Sequence, residues 1–184
     1  MNKSTNLKSM VLAALLCAIG IVIPIISPIR IVLEPMSFTL ASHVALFISM
    51  FISPFVSITV ALGTTLGFFM AGFPIVIVLR ALSHIVFAVI GSCIIKKIPD
   101  VLSTKKKSIL FGFIIAIIHA VCEVIVVIPF YFGNSLPTGY YAKGFLYTVV
   151  LLVGVGTIVH SLIDYYISII IWYPLNKAKV IKVN

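Results

Sequence analysis

The sequence predicts an all-α integral membrane protein in which six transmembrane helices form one domain over residues 1–184. Hydrophobic residues make up 62% of the chain and charged residues only 9%, with a mean hydropathy of +1.29. A soluble domain would carry about 25% charged residues. The charges also lie between apolar runs, several of which are long enough to cross the ~30 Å hydrocarbon core of a bilayer. The apolar composition and the separation of charged residues from the apolar runs together exclude an ordinary soluble domain.

The first predicted span, residues 7–26, begins after a short basic segment, as a signal peptide does. No small-residue cleavage site follows it, so we expect it to be retained. Ala14 and Ala18 within it have the spacing of small residues that lets two helices approach closely in lipid. That face is expected either to pack inside the protein or to contact a separate subunit.

Residues 27–40 are too broken by polar residues and proline to cross a membrane, yet too apolar for a solvated loop. We interpret this connection as a semi-buried loop that covers a site. Arg30 and Glu34 within it would pair across one turn if the segment were locally helical.

The remaining predicted spans cover about residues 40–52, 55–71, 75–95, 109–130 and 145–171. The second and third are short, and a tight uncharged turn joins them. Gly63, Gly67 and Ala71 follow one another at four-residue steps in the third span, which predicts a face packed closely against a neighbouring helix. Trp172 and Tyr173 follow the last span and are typical of a membrane interface.

Basic residues predict the orientation of the chain. Six spans place both termini and the 96–107 loop on one side, and the opposite side holds only Arg30 and Lys143. The first side holds ten basic residues: Lys3, Lys8, Lys96, Lys97, Lys105, Lys106, Lys107, Lys177, Lys179 and Lys182. Because Lys and Arg accumulate in cytoplasmic loops, both termini are expected in the cytoplasm. The net charge of +9 therefore predicts orientation and no nucleic-acid partner.

Three spans each carry two ionisable residues four positions apart, on one helix face. At 1.5 Å per residue, Arg80 lies about 8 Å and Glu123 about 10 Å below the outer membrane edge, with His84 and His119 one turn deeper. The third pair, His160 and Asp164, starts about 22 Å down by the same count. We expect that third pair to lie in the cytoplasmic half, with a role in structure or subunit coupling.

Arg80 and Glu123 at matching depth predict either a structural ion pair or a site for a small carboxylate, and we favour the site because intramembrane charges usually mark one. The planar guanidinium of Arg80 suits a carboxylate. Nearby polar and aromatic residues favour a small aromatic or heteroaromatic acid. The predicted substrate-binding residues are Arg80, His84, Glu123, His119, His43, Phe38, Tyr131, Asn134 and Tyr147.

Enzymatic motifs are missing from the sequence. It contains no H-E-x-x-H, no G-x-S-x-G, no paired C-x-x-C and no phosphate-binding loop. Cys17, Cys93 and Cys122 lie in apolar runs without pairing or metal-ligand spacing. We therefore expect a protein that is not an enzyme, with no catalytic residue, no metal and no cofactor of its own.

The chain resembles an S component of the energy-coupling factor (ECF) transporters, the membrane subunit that captures a vitamin. The likeness extends over nearly the whole chain: its size, its six spans, Ala14 and Ala18 in span one, the Ser37-Phe38-Thr39-Leu40-Ala41-Ser42-His43 entry to span two, and the Gly154–Asp164 segment of span six. Among its branches the chain looks most like the niacin-specific S components, through Ser42-His43 and the Leu79–His84 segment.

The resemblance implies an importer in a prokaryotic cell membrane, in which this subunit works with a transmembrane coupling subunit and two cytoplasmic ATPases that use ATP. It implies that Ala14 and Ala18 contact the coupling subunit. It also implies a vitamin bound near the outer face, under the loops after spans one, three and five. Two alternatives stay open: a different vitamin, such as pyridoxine or a hydroxymethylpyrimidine-type thiamine precursor, and a stand-alone solute carrier.

Overall fold

A computed structural model describes the backbone of residues 3–33 and 36–178 and the side chains of residues 7–29 and 38–178. The described part is helical, as the sequence predicts, apart from one short hairpin. Its α-helices are α1 (Lys3–Ile26), α2 (Val44–Ile52), α3 (Pro54–Met70), α4 (Ile75–Lys97), α5 (Lys105–Phe132) and α6 (Gly156–Lys177). A π-helical segment, Leu146–Val155, leads directly into α6, and 3-10 turns occupy Pro99–Leu102 and Thr138–Tyr140.

Four helical stretches are long and apolar enough to cross a membrane: Leu7–Ile26, Ile75–Lys97, Lys105–Phe132 and Leu146–Lys177. The other two predicted spans correspond to shorter helices. The nine residues of α2 extend only about 14 Å at 1.5 Å per residue, and all of them are buried in the protein. The 17 residues of α3 extend about 25 Å.

The connection before α2 is more ordered than the predicted loop. Strands β1 (Arg30–Leu33) and β2 (Met36–Thr39) form an antiparallel hairpin, with Arg30 opposite Thr39 and Leu33 opposite Met36. The paired strands share backbone hydrogen bonds between their N–H and C=O groups. The predicted Arg30–Glu34 contact lies outside the described side chains.

Small residues bring α1 and α3 into close contact. A Cβ atom placed on Gly63 would meet Cys17 Sγ at 2.5 Å, and one placed on Gly20 would meet Thr64 Cγ2 at 2.6 Å. The close-packing face predicted for span three is therefore confirmed, and α1 is the helix it packs against. Ala14 and Ala18 are exposed on the opposite face of α1. Internal packing, one of the two roles left open for this pair, is thus excluded within the described chain.

An aromatic core fills the bundle around α2. Phe47 and Phe51 of α2 both contact the fully buried ring of Tyr165, at centroid distances of 5.6 and 6.1 Å. Trp172, predicted at the membrane interface, instead packs 5.5 Å from Phe51 and is only 5% exposed, whereas Tyr173 is exposed. The side chain of Trp172 faces inward because α6 continues through residue 177, and its place at a membrane interface stays a prediction. Above this core, α2 begins at a polar cavity.

Candidate functional site

A small cavity of about 80 Å³ lies where the hairpin, the start of α2 and the facing parts of α3 to α6 meet. This volume is several times the ~15 Å³ that a single water requires. Polar side chains form one part of the wall and aromatic rings another. The lining residues are Pro24, Phe38, Thr39, Ser42, His43, Phe68, Phe73, Ile77, Arg80, Ala81, His84, Glu123, Thr157 and His160.

Glu123 is the centre of the first polar group. Its Oε2 accepts hydrogen bonds from Arg80 Nη2 at 2.8 Å and from Thr157 Oγ1 at 2.6 Å. Its Oε1 lies 3.1 Å from His84 Nε2 and 3.5 Å from His119 Nε2. The predicted matching depth of Arg80 and Glu123 is confirmed by their direct contact. Such a charge-assisted bond is stronger than a neutral one and fixes the guanidinium at the cavity wall.

Arg80 keeps part of its hydrogen-bonding capacity free for a ligand. Its side chain is 15% exposed, against 4% for Glu123. Its Nε is buried and has no hydrogen-bond partner among the described residues. A guanidinium has five N–H donors, so pairing with Glu123 does not exhaust it. Arg80 is thus both a member of an ion pair and a wall of the cavity.

Asp164 is the centre of a second polar group. Its Oδ1 accepts a hydrogen bond from the backbone N–H of Ala41, and its Oδ2 accepts one from the backbone N–H of His43, both at 2.8 Å. Ala41, the first of these donors, has φ 66°, a left-handed conformation that costs an L-residue roughly 1–2 kcal/mol. A fully buried carboxylate therefore holds a strained turn at the entrance to α2.

His160 belongs to the second group and lines the cavity, contrary to the sequence-based depth count. Its Nε2 lies 3.0 Å from His43 Nδ1 and 3.0 Å from Ser42 Oγ, and its ring lines the cavity. The prediction that His160 and Asp164 lie apart from the outer site was wrong. The count assumed that the span begins at the membrane edge at residue 145. The helical stretch Leu146–Lys177 has 32 residues and extends about 48 Å, which is longer than a ~30 Å hydrocarbon core, so that assumption is not secure for this helix.

The structure brings together most of the predicted substrate-binding residues. Phe38, His43, Arg80, His84 and Glu123 line the cavity, and His119 lies fully buried behind it. The other three predicted residues lie outside this lining.

Tyr131 packs against Tyr141 and Phe145 in a separate aromatic cluster. Asn134 occupies the turn after α5 with φ 51°, and Tyr147 carries Lys143 Nζ 4.7 Å above its ring. Contact of Tyr131, Asn134 and Tyr147 with a substrate stays a prediction.

Sequence reasoning missed several contributors to the site, and four of them are Ser42, Thr157, His160 and Phe68. The first three fall within the Ser37–His43 and Gly154–Asp164 segments that carry the family resemblance, so a signal was available for them. Phe68 had none, because a Phe near the end of an apolar helix usually contacts lipid. In the structure its ring stacks on Phe73 at 4.8 Å and the pair forms an apolar wall of the cavity.

The chain is 40% identical over 177 residues to the niacin transporter NiaX of Lactococcus lactis subsp. cremoris. The match covers 96% of this chain and 78% of NiaX. The chain belongs to the NiaX family of ECF S components. No protein-family model matches the chain, and no solved structure matches it. This S component is a multi-pass membrane protein, because it belongs to a transporter family and has four helices apolar enough to cross a membrane.

This S component has metal-ligating atoms at the cavity in two overlapping groups. His43, His84, His119 and Glu123 form the first, and His43, His160 and Asp164 form the second; in each, the ligating atoms lie within 4.8 Å of one another. With neutral imidazoles, Arg80 contributes +1 and the two ionised carboxylates −2, a formal sum of −1. The charged groups at the cavity are therefore negative in sum, although Arg80 lines its wall.

Proposed function

We propose that this protein is the niacin-capturing S component of an ECF importer in a prokaryotic cell membrane. The observation that carries the proposal is the 40% identity, over 96% of the chain, to a protein named as a niacin transporter. Membership of a transporter family also agrees with the prediction that the chain is not an enzyme.

The cavity suits nicotinic acid, which is one flat ring with a carboxylate and a ring nitrogen. The stacked rings of Phe68 and Phe73 offer an apolar face, and Arg80 offers donors in the planar arrangement that a carboxylate accepts. Ser42 Oγ and the His160 ring lie at the same cavity and supply hydrogen-bonding groups for the ring nitrogen. The volume of about 80 Å³ favours a one-ring ligand over larger vitamins.

The hairpin is the element of the cavity wall best suited to move when a ligand enters or leaves. Phe38 and Thr39 of β2 line the cavity, and the 41–43 turn that follows is held by Asp164 of α6. Breaking a small number of hydrogen bonds would release this segment without unfolding the helical bundle. We propose that the hairpin closes over bound niacin and opens to admit it.

We further propose that all six helices cross the membrane with both termini in the cytoplasm. The ten-to-two distribution of basic residues supports this orientation. The exposed Ala14 and Ala18 of α1 support a contact with the transmembrane coupling subunit, whose two ATPase partners would use ATP. The family implies this arrangement of subunits.

Small molecules released from the purified protein and identified by mass spectrometry test the proposal first. Titration with nicotinic acid and with nicotinamide follows. We expect niacin in the released fraction and tighter binding of the acid than of the amide, because only the acid pairs with Arg80. A different vitamin in that fraction, together with no binding of nicotinic acid, would contradict the niacin assignment.

A further inference from the structure

All four histidines of the chain meet at one place. The His43 ring lies 4.8 Å from the ring of His84, 4.8 Å from that of His119 and 4.9 Å from that of His160, between centroids. The His84 and His119 rings are 4.7 Å apart. They come from the entrance of α2 and from three different helices, so no local sequence spacing accounts for their convergence.

Polar groups contact the Nδ1 atoms of two of these rings and leave the opposite ring nitrogens as possible metal ligands. His43 Nδ1 lies 3.2 Å from Asp164 Oδ2, and His119 Nδ1 lies 3.2 Å from Ser161 Oγ. Imidazoles that bind metals are held in this way, with the second nitrogen fixed by a carboxylate, carbonyl or other polar group.

His119 Nε2 is buried without a hydrogen-bond partner among the described residues. Its ring is completely inaccessible to solvent. A buried polar atom without a partner is unfavourable, since it has lost water and gained no replacement. The atom faces Glu123 Oε1 at 3.5 Å, and His84 Nε2 faces the same oxygen at 3.1 Å. A cation bound between these groups would satisfy the nitrogen.

The separations fit a zinc-class ion. Bonds of 2.0–2.1 Å in a tetrahedral site place the ligand atoms about 3.4 Å apart. The distances of 3.1 and 3.5 Å from Glu123 Oε1 already match, and all four ligand atoms of the group lie within 4.8 Å of one another. Glu123 Oε2 is bound by Arg80 and Thr157, which orients the carboxylate as an outer shell orients a metal ligand.

We propose that His43, His84, His119 and Glu123 bind a divalent transition-metal ion of the zinc class, and that this ion attracts the carboxylate of the substrate. The role of the ion in substrate binding rests on the proposed function. The ion would change the formal charge of the cluster from −1 to +1, which Arg80 alone does not achieve against Glu123 and Asp164. Sequence spacing alone predicts no metal, and the proposal rests instead on this tertiary arrangement.

Co²⁺ titration of the full chain tests the metal site directly. The protein is purified in detergent without a polyhistidine tag, stripped with a chelator and titrated while visible absorption is recorded. We expect one Co²⁺ per chain with a tetrahedral-type spectrum, displacement by Zn²⁺ and a higher melting temperature with Zn²⁺. A wild-type protein that shows neither the spectrum nor the Zn²⁺-dependent melting shift would overturn the proposal without any variant.

Variants locate the ion. His84→Gln and His119→Gln should each weaken Co²⁺ binding about 100-fold, and Ser161→Ala, which removes an orienting partner, about 10-fold. Cys93→Ser is the matched control, because its exposed thiol is an alternative metal ligand, and it should bind as the wild type does. Loss of binding in His160→Gln with retention in His119→Gln would move the ion to the other group and overturn the assignment.

Measuring the affinity for nicotinic acid with chelator and with Zn²⁺ tests whether the ion attracts the substrate carboxylate. We expect affinity at least about tenfold weaker after chelation and restored by Zn²⁺, because each ligand strengthens the binding of the other. Co²⁺ binding without nicotinic acid binding in either condition would support the metal site and overturn the proposed function. Nicotinic acid binding that chelation leaves unchanged, with no Co²⁺ spectrum, would overturn the metal site and leave the proposed function standing.

Discussion

Asp164 Oδ2 accepts a hydrogen bond from the backbone N–H of His43 at 2.8 Å, although 121 positions separate the two residues. The same carboxylate accepts the N–H of Ala41, so one side chain of α6 holds the turn that connects the hairpin to α2. This contact places His43 and Ser42 at the cavity. It also makes a single buried carboxylate the anchor of the segment proposed to close over the substrate.

Replacing Asp164 with Asn should loosen that turn. The amide keeps the shape but presents one oxygen where the carboxylate presents two, and hydrogen bonds to charged groups contribute about 1.5–3 kcal/mol each. We expect the free energy of unfolding to fall by about 2 kcal/mol and nicotinic acid to dissociate faster. Thermal unfolding and stopped-flow measurements check both. Asp100→Asn, an exposed carboxylate beyond α4, is the control, and equal behaviour of the two variants would contradict the anchoring role.

A test of Arg80 has to account for its ion pair with Glu123. Arg80→Ala would leave Glu123 as a buried uncompensated charge, at a cost of about 3–5 kcal/mol. Arg80→Lys keeps the charge but loses the planar fork, and the Arg80→Gln/Glu123→Gln double variant removes both charges. We expect both variants to fold, with nicotinic acid affinity about tenfold weaker for Arg80→Lys and undetectable for the double variant.

Isothermal titration calorimetry with nicotinic acid checks the Arg80 prediction, and Lys143→Ala is the control variant. Lys143 is an exposed cation, and its replacement should leave affinity unchanged. Wild-type affinity in the double variant would remove Arg80 from the binding site.

The exposed face of α1 predicts a separation between binding and uptake. Ala14→Trp or Ala18→Trp adds bulk where the proposed coupling subunit approaches, so uptake should fall to background while nicotinic acid affinity is retained. Uptake of labelled niacin by cells and titration of the purified variants measure the two effects. Ile125→Trp, at a position on α5 that is 61% exposed, is the control for a general effect of bulk. Unimpaired uptake in both α1 variants would rule out this face as the interface.

The α1–α3 contact predicts a compensating pair. Gly63→Ala places a Cβ atom only 2.5 Å from Cys17 Sγ. Overpacking of this kind costs about 1–3 kcal/mol. Cys17→Ala removes the obstructing sulfur. We expect the Gly63→Ala/Cys17→Ala double variant to melt at a higher temperature than Gly63→Ala, which gives a favourable coupling in a double-mutant cycle. Additive effects in that cycle would mean that the two helices do not meet at these residues.

Several features of the protein follow from the sequence alone, because they depend on local composition and on distances along single helices. Hydropathy predicts the helical membrane class, and the small residues of α3 predict a close contact. The depths of Arg80 and Glu123 could be counted from the apolar ends of α4 and α5, since both helices are continuous. Their 2.8 Å contact confirms that the two residues lie at the same level of the bundle.

Only the tertiary structure decided where His160, Asp164 and the hairpin lie. A depth count assumes that a helix begins at the membrane edge, and the stretch Leu146–Lys177 is too long for that. The hairpin reaches the cavity through hydrogen bonds to a residue more than a hundred positions away, which no local pattern encodes. The four-histidine cluster arises in the same way, since its members come from separate elements and meet only when the helices pack.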